Sequence, residues 1–68
     1  MTLSDAIKTQ LKNREITQSQ LAKELGVTRQ SVTDTLNNWE NGVTPRITTL
    51  KKWSEVINVN YEFFLKYL

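Results

Sequence analysis

Apolar residues recur every three or four positions along most of the chain, which is the spacing of amphipathic α-helices. The first stripe predicts helix 1 from about Asp5 to Asn13, with Ser4 as its N-cap. The apolar members of this stripe are Leu3, Ala6, Ile7 and Leu11. No segment has a convincing strand pattern, so the chain is predicted to be all-α.

Helix 2 is predicted over about residues 18–25, between a cap and a turn signal. Thr17 is a good N-cap, and Gln20, three residues later, completes a capping box. Gly26 follows the last apolar residue, at the position where helices commonly end in a positive φ that costs glycine little. Val27 is expected to fill the turn that follows.

Helix 3 is predicted over about residues 29–38, with Thr28 as its N-cap. At 100° per residue, one face of this helix is apolar and consists of Val32, Leu36 and Trp39. We call the opposite face the polar face; it consists of Gln30, Asp34 and Asn37, with Thr33 at its edge. Each of these residues alone would suit an ordinary solvated face. Solvated faces usually carry Lys and Glu, however, so the set as a whole favours a binding surface.

Two more helices complete a predicted single domain of five helices over residues 1–68. Thr44-Pro45 suits the start of helix 4, because proline is tolerated in a first turn. The apolar stripe of helix 4 comprises Ile47, Leu50, Trp53, Val56 and Ile57. Asn60 is expected to cap a short helix 5 over residues 61–67.

The composition argues against several classes of function. The chain has no cysteine and no histidine, so the usual thiolate and imidazole metal ligands and the commonest general base are missing. Its acidic residues form no paired constellation, so we expect no enzyme, no metal, no cofactor and no small-molecule ligand. No apolar run approaches the ~20 residues of a membrane span. The net charge of +2 permits nucleic-acid binding but is no strong argument for it.

A set of residues in the middle of the chain has the spacing of a known motif: Gln18, Leu21, Ala22, Leu25, Gly26, Val27, Thr28 and Val32. Matches continue downstream at Trp39-Glu40-Asn41-Gly42, Pro45, Ile47, Leu50 and Val59 to Leu65. On these residues the chain resembles the Cro/repressor helix-turn-helix family of phage and bacterial transcription regulators, over about residues 3–65. The resemblance implies a compact Cro-like fold and a sequence-specific regulator of double-stranded DNA, in particular a repressor.

The resemblance also implies which residues contact DNA, with helix 3 in the major groove. The positions that reach base edges hold Arg29, Gln30, Thr33 and Asp34, and Asn37 joins them on the polar face. Arginine pairs well with guanine and glutamine with adenine, which agrees with this assignment. Contacts to the DNA backbone are expected from Thr17, Gln18, Thr28, Ser31, Asn38, Asn41, Thr44 and Arg46.

Two of these residues have alternative roles. Gln18 is expected either to contact a phosphate or to brace the first recognition residue. Asp34 is expected either to accept a hydrogen bond from a base or to hold Arg29 or Lys23 in place. The second role is considered because a carboxylate near phosphates lowers the affinity for DNA, unless a hydrogen-bond donor of a base or a neighbouring cation pairs with it.

The chain departs from the family pattern just before Trp39. Six residues, Thr33–Asn38, stand between the central motif and this tryptophan, which is about one helical turn more than the family has. Either helix 3 is one turn longer, or a turn bulges near Asn37. Thr35 also stands where such motifs usually have an apolar residue, and Leu36 is expected to replace it in the core.

The C-terminal segment is unusually rich in aromatic residues. In the family pattern, its inward residues are Tyr61, Phe64 and Leu65. Phe63 and Tyr67 are then left outside on one stripe, and with Leu68 they are expected to form a homodimer interface, at least on DNA. Cro-like dimers place two recognition helices about 34 Å apart on a palindromic operator. Alternatively, these aromatic residues fold over Trp53 and complete the core.

Two functions remain open at this point. The first is a phage-type or bacterial repressor that acts as a dimer in the cytoplasm of a bacterial host, on nucleoid DNA. The second is a helix-turn-helix module that binds proteins, for example an antirepressor-like partner of another regulator; the low net charge and Asp34 support it. The chain is either a complete regulator or the N-terminal module of a longer repressor. Residues 66–68 do not resemble a linker, which favours a complete regulator or a deliberate truncation.

Overall fold

The computed structural model describes all 68 residues as helices joined by short turns, without strands, which confirms the predicted all-α class. The helices are α1 (Leu3–Asn13), α2 (Gln18–Leu25), α3 (Arg29–Glu40), α4 (Ile47–Ile57) and α5 (Glu62–Leu65). Helix α3 packs against α1 and α2, α4 packs against α2, and α5 lies on α1. No helix here combines the length and the apolar character that crossing a lipid bilayer would require.

One cluster of thirteen buried apolar residues holds the helices together. The predicted inner face of α3 is part of it, with Trp39 stacked at a tilt of 53° on Trp53 of α4, ring centroids 4.8 Å apart. Ile47, the first residue of α4, was predicted in its apolar stripe but is 44% exposed. Ser54 takes a place in the buried stripe, and its hydroxyl donates to the Leu50 carbonyl at 2.7 Å.

Helix α1 starts two residues earlier than predicted, and Ser4 is not its cap. Thr2 caps it instead, through a capping box in which the Asp5 N–H donates to the threonine hydroxyl and the Thr2 N–H donates to the carboxylate. The reciprocal pair satisfies two N–H groups at once, which a cap at Ser4 would not do. Ser4 is therefore fully buried inside the first turn, and its hydroxyl has no partner.

Four helices end in the same backbone arrangement, a residue with positive φ followed by an apolar residue. The positive-φ residues are Glu15 (57°), Gly26 (73°), Gly42 (92°) and Asn58 (64°). At the end of α2, the Val27 N–H donates to the Ala22 carbonyl at 3.0 Å and the Gly26 N–H to the Lys23 carbonyl at 3.2 Å. This pair of bonds closes the helix end and confirms the predicted glycine turn.

The side chain of Val27 was predicted to fill the turn, but it is 45% exposed and does not do so. Its backbone N–H, rather than its side chain, is the group that closes the turn. The valine therefore lies at the surface beside the start of α3.

The extra residues before Trp39 lengthen α3 instead of forming a bulge. The helix is continuous to Glu40, two residues beyond the predicted end, and Asn41-Gly42 ends it. Leu36 is buried as predicted, whereas Thr35 is half-buried and donates its hydroxyl to the Ser31 carbonyl at 2.8 Å. Twelve residues at a rise of ~1.5 Å give α3 a length of about 18 Å.

The last helix is shorter than predicted, and the turns at its two ends are closed between residues three apart. Asn60 was predicted to cap it, and its side-chain oxygen accepts the Glu62 N–H at 3.0 Å, but the N-cap residue is Tyr61, which makes no side-chain cap bond. The Phe64 N–H donates to the Tyr61 carbonyl and the Tyr67 N–H to the Phe64 carbonyl, three residues back in each case. With this winding of the turns at the two ends of α5, side chains three apart lie on one side.

This winding corrects the predicted orientation of the C-terminal residues. Tyr61, Phe64 and Tyr67 share the inner side: Phe64 is fully buried, and the two tyrosines are half-buried against the core. Leu65 was predicted to point inward but is 37% exposed, because it lies one position off that side. Tyr67, predicted outside, closes part of the core instead.

Replacing Gly26 by alanine should destabilise the fold through the backbone alone. A Cβ built on Gly26 meets no atom within 4 Å, so the cost is the left-handed conformation itself, about 1 kcal/mol for a residue with a Cβ. We expect Gly26→Ala to lower the free energy of unfolding by that amount in urea denaturation. Gly26→Asn, the matched control, should lose less because asparagine tolerates positive φ. Equal stability of the alanine variant and the parent would contradict the account.

Candidate nucleic-acid interface

The N-termini of α2 and α3 are both capped by threonine, as predicted. In α2, the Gln20 N–H donates to the Thr17 hydroxyl at 3.0 Å, and the Gln20 side chain accepts the Thr17 N–H at 2.8 Å. In α3, the Ser31 N–H donates to the Thr28 hydroxyl at 3.1 Å. Each cap leaves the first two N–H groups of its helix without a partner in the chain, and such groups suit an anion such as a phosphate.

The polar face of α3 lies at the surface, as predicted. Gln30, Asp34 and Asn37 are exposed, together with Arg29 at the start of the helix, while Thr33 is half-buried at the edge. From Gln30 to Asn37 the helix rises about 10 Å. Three base-pair steps of DNA, at ~3.4 Å each, span about the same length. Contact of this face with bases remains a prediction.

One hydrogen bond across the helix pair fixes the edge of the polar face. The Thr33 hydroxyl of α3 donates to the Gln18 side-chain oxygen of α2 at 3.1 Å. Gln18 therefore braces the neighbouring helix, which was one of its two predicted roles, but it braces Thr33 rather than the first residue, Arg29. Because its oxygen is engaged, the Gln18 amide nitrogen keeps its N–H donors for another partner.

A second hydrogen bond lies within the polar face itself. The Gln30 amide nitrogen donates to the Asp34 carboxylate at 2.8 Å. The partner of Asp34 is thus Gln30, not Arg29 or Lys23 as the alternative prediction had it. The two residues are four apart on a helix, a spacing that makes side chains neighbours. This pair could therefore have been predicted from the sequence, although it was not.

The other residues predicted to contact the DNA backbone lie on the exposed surface. They are Ser31, Asn38, Asn41, Thr44 and Arg46. The last three belong to the loop after α3, which begins about one turn, or ~5.4 Å, further along the helix axis than a shorter α3 would place it. Buried Pro45 and a bond from the Val43 N–H to the Asn38 carbonyl at 2.9 Å anchor this loop. Their contacts with DNA remain predictions.

The C-terminal surface is apolar but differs from the predicted stripe. We define the C-terminal patch as Phe63 (39% exposed), Leu65 (37%) and Leu68 (54%). Leu65 was predicted to lie in the core, but the turns that flank α5 place it at the surface instead. The Lys66 ammonium lies 4.6 Å from the centroid of the Phe63 ring and borders the patch with a charge.

The patch continues toward the loop after α3. Val43 is 54% exposed, and it lines one shallow depression together with Pro45, Tyr67 and Leu68. The C-terminus and the end of α3 therefore form neighbouring parts of one surface. No group of three or more Asp or Glu side chains is arranged to hold a metal ion.

Comparison with known proteins finds a match to one family model. The model, described as helix-turn-helix, matches residues 7–64 of this 68-residue chain. The match includes α2, the Gly26 turn and the whole of α3. No curated protein and no solved structure gives a significant match.

The Gln18–Thr33 bond should contribute measurably to the packing of α2 on α3. Gln18→Ala removes the acceptor of a half-buried hydroxyl, so we expect the free energy of unfolding to fall by about 1 kcal/mol. Ser19→Ala, one position along the same helix at an exposed site, should change it by less than about 0.5 kcal/mol. Urea denaturation of both variants checks this; equal losses would mean that the bond adds nothing.

Proposed function

The chain belongs to the Cro/repressor-type helix-turn-helix family of DNA-binding transcription regulators, and we propose that it is a repressor that places α3 in the major groove of a specific operator. The observation that carries the proposal is the polar face of α3, which is exposed over about three base-pair steps and tied to α2 by Gln18. Polar side chains of fixed position on a rigid helix are what direct readout of bases requires.

The proposed base contacts follow from the donors and acceptors that remain free. Arg29 is exposed at the first position of α3 and suits the two acceptors of guanine. Thr33 has given its hydroxyl hydrogen to Gln18, so its methyl group is the better contact and suits the methyl of thymine. Asn37 lies one turn further and suits adenine, which makes the added turn of α3 part of the recognition surface.

The proposed backbone contacts position the helix and do not select a sequence. The free N–H groups at the start of α2 and α3 lie next to Thr17 and Thr28, whose hydroxyl hydrogens remain available for phosphates. The unengaged amide nitrogen of Gln18 adds a donor at the same end of α2. Asn41, Thr44 and Arg46 are proposed to hold the strand near the far end of α3, with Ser31 and Asn38 along its flank.

We propose that the operator is palindromic and that two copies of the chain bind it. The longest dimension of the backbone is 26 Å, shorter than the ~34 Å between half-sites one helical turn apart, so one copy covers one half-site. The C-terminal patch is the proposed dimer interface, with Val43 as its neighbour at the end of α3. An interface there would set the spacing of the two recognition helices. The proposed setting is the cytoplasm of a bacterial host, where the protein occludes a promoter of the host or a phage.

Selection of binding sites from random duplex DNA at two salt concentrations tests the proposed function. The expected result is a two-fold symmetric motif with half-sites about one turn apart, and an affinity that falls as salt rises because bound phosphates release counterions. A single, asymmetric half-site would leave a DNA-binding regulator but contradict the dimer. No enrichment at either salt concentration would contradict DNA binding and favour the protein-binding module.

Placing a charge in the C-terminal patch should separate the two copies. Phe63→Asp puts a carboxylate where an apolar contact is proposed, so we expect a monomer in sedimentation under conditions that give a dimer for the parent. Val27→Asp is the matched control, because Val27 is similarly exposed, at 45% against 39%, but lies at the α2–α3 turn. A dimer that survives Phe63→Asp with an unchanged circular dichroism spectrum would rule out this interface.

A further inference from the structure

We propose that Asp34 is a positioning residue that fixes the side-chain amide of Gln30, so that the pair selects adenine next to a base that carries an amino group. The inference rests on the proposed function, because it concerns which bases the polar face of α3 selects. Asp34 and Gln30 then act as one two-residue unit, in which Asp34 orients the amide of Gln30 and keeps one oxygen for the neighbouring base.

The hydrogen bond between the two side chains permits only one orientation of the amide. The carboxylate of Asp34 has no hydrogen to donate, so only the Gln30 nitrogen, and not its oxygen, can face it; the separation is 2.8 Å. Turning the amide by 180° would bring two acceptor oxygens together next to a negative charge. A free glutamine can turn its amide so that either the nitrogen or the oxygen faces a given base atom. Asp34 holds the amide of Gln30 in one of these two orientations.

The groups left over define what the pair can recognise. Gln30 keeps one N–H and its side-chain oxygen, and Asp34 keeps its second oxygen, so the pair offers one donor and two acceptors. Adenine presents the N7 acceptor and the N6 amino donor, which match the free groups of Gln30. The free oxygen of Asp34 needs a second amino group, N4 of cytosine or N6 of adenine, at the next step.

The same arrangement disfavours the other bases. At the base that Gln30 reads, guanine O6 or thymine O4 would face the fixed amide oxygen of Gln30, which is also an acceptor. At the next step, either oxygen would face the carboxylate of Asp34, again without a hydrogen between the two acceptors. Arg29, one position before Gln30 and also exposed, supplies a positive charge at the same end of α3.

Asp34 has two effects on DNA binding. Its negative charge lowers the affinity for DNA of any sequence, while the fixed amide of Gln30 raises the preference for one base. These two effects are separable by experiment.

Asp34→Asn separates the two effects. Asparagine has nearly the same shape, but it both donates and accepts, so either orientation of the Gln30 amide is satisfied. Affinity for random DNA should rise, since a negative charge is removed, while the preference for adenine opposite Gln30 should fall from roughly tenfold or more to about threefold or less. Asp34→Glu restores a carboxylate and should restore the preference.

The experiment is selection from random duplex DNA with the full chain and four variants. Gln30→Ala locates the position that Gln30 reads, as the one whose preference disappears. Asp34→Asn and Asp34→Glu are compared at that position, and Glu40→Gln, an exposed acid elsewhere on α3, controls for the loss of a charge. All replaced side chains are exposed, so circular dichroism melting should show every variant folded.

The expected result is loss of adenine preference with Asp34→Asn, its return with Asp34→Glu, and no change of preference with Glu40→Gln. If the parent selects a motif but Asp34→Asn keeps the full preference for adenine, or Gln30→Ala changes no position, the positioning role is wrong and the proposed function stands. If the parent selects no motif, the proposed function fails and the positioning role fails with it.

Discussion

The positive φ of Gly26 is the constraint on which the candidate site depends. At 73°, this residue turns the chain sharply between α2 and α3, and the N–H groups of Gly26 and Val27 donate to the carbonyls that close the end of α2. Ala22 and Val32 are both buried where these helices pack, so small and branched side chains suit the close approach. The polar face of α3 is exposed because its apolar face is held in the core by this packing.

Much of the fold could be predicted because local signals and the apolar pattern agree. Thr17, Gly26 and Thr28 are short-range signals, and each has its predicted role in the structure. Prediction failed where two local solutions compete. A capping box that begins at Thr2 is better satisfied than a cap at Ser4, and the C-terminal turns wind three residues at a time, which no α-helical pattern anticipates.

For the candidate site, the sequence identifies the residues but not how they pair. Helical spacing alone places Gln30, Asp34 and Asn37 on one exposed face, and the structure agrees. The bond from Thr33 to Gln18 joins residues fifteen positions apart, so it depends on how the helices cross, which spacing within one helix does not specify. The Gln30–Asp34 bond is local, but attraction between opposite charges favours Arg29 or Lys23 as the partner of the carboxylate, and a neutral amide donor four residues away is bonded to it instead.

We propose that the polar face of α3 is the surface that contacts DNA. Backbone amide chemical shifts measured by NMR, before and after addition of a short duplex at low salt, test it most directly. We expect the largest changes along residues 29–38 and at Gln18, with little change in the middle of α1 and α4. Changes confined to α4 or to the C-terminal patch, with none along α3, or no changes at all, would contradict it.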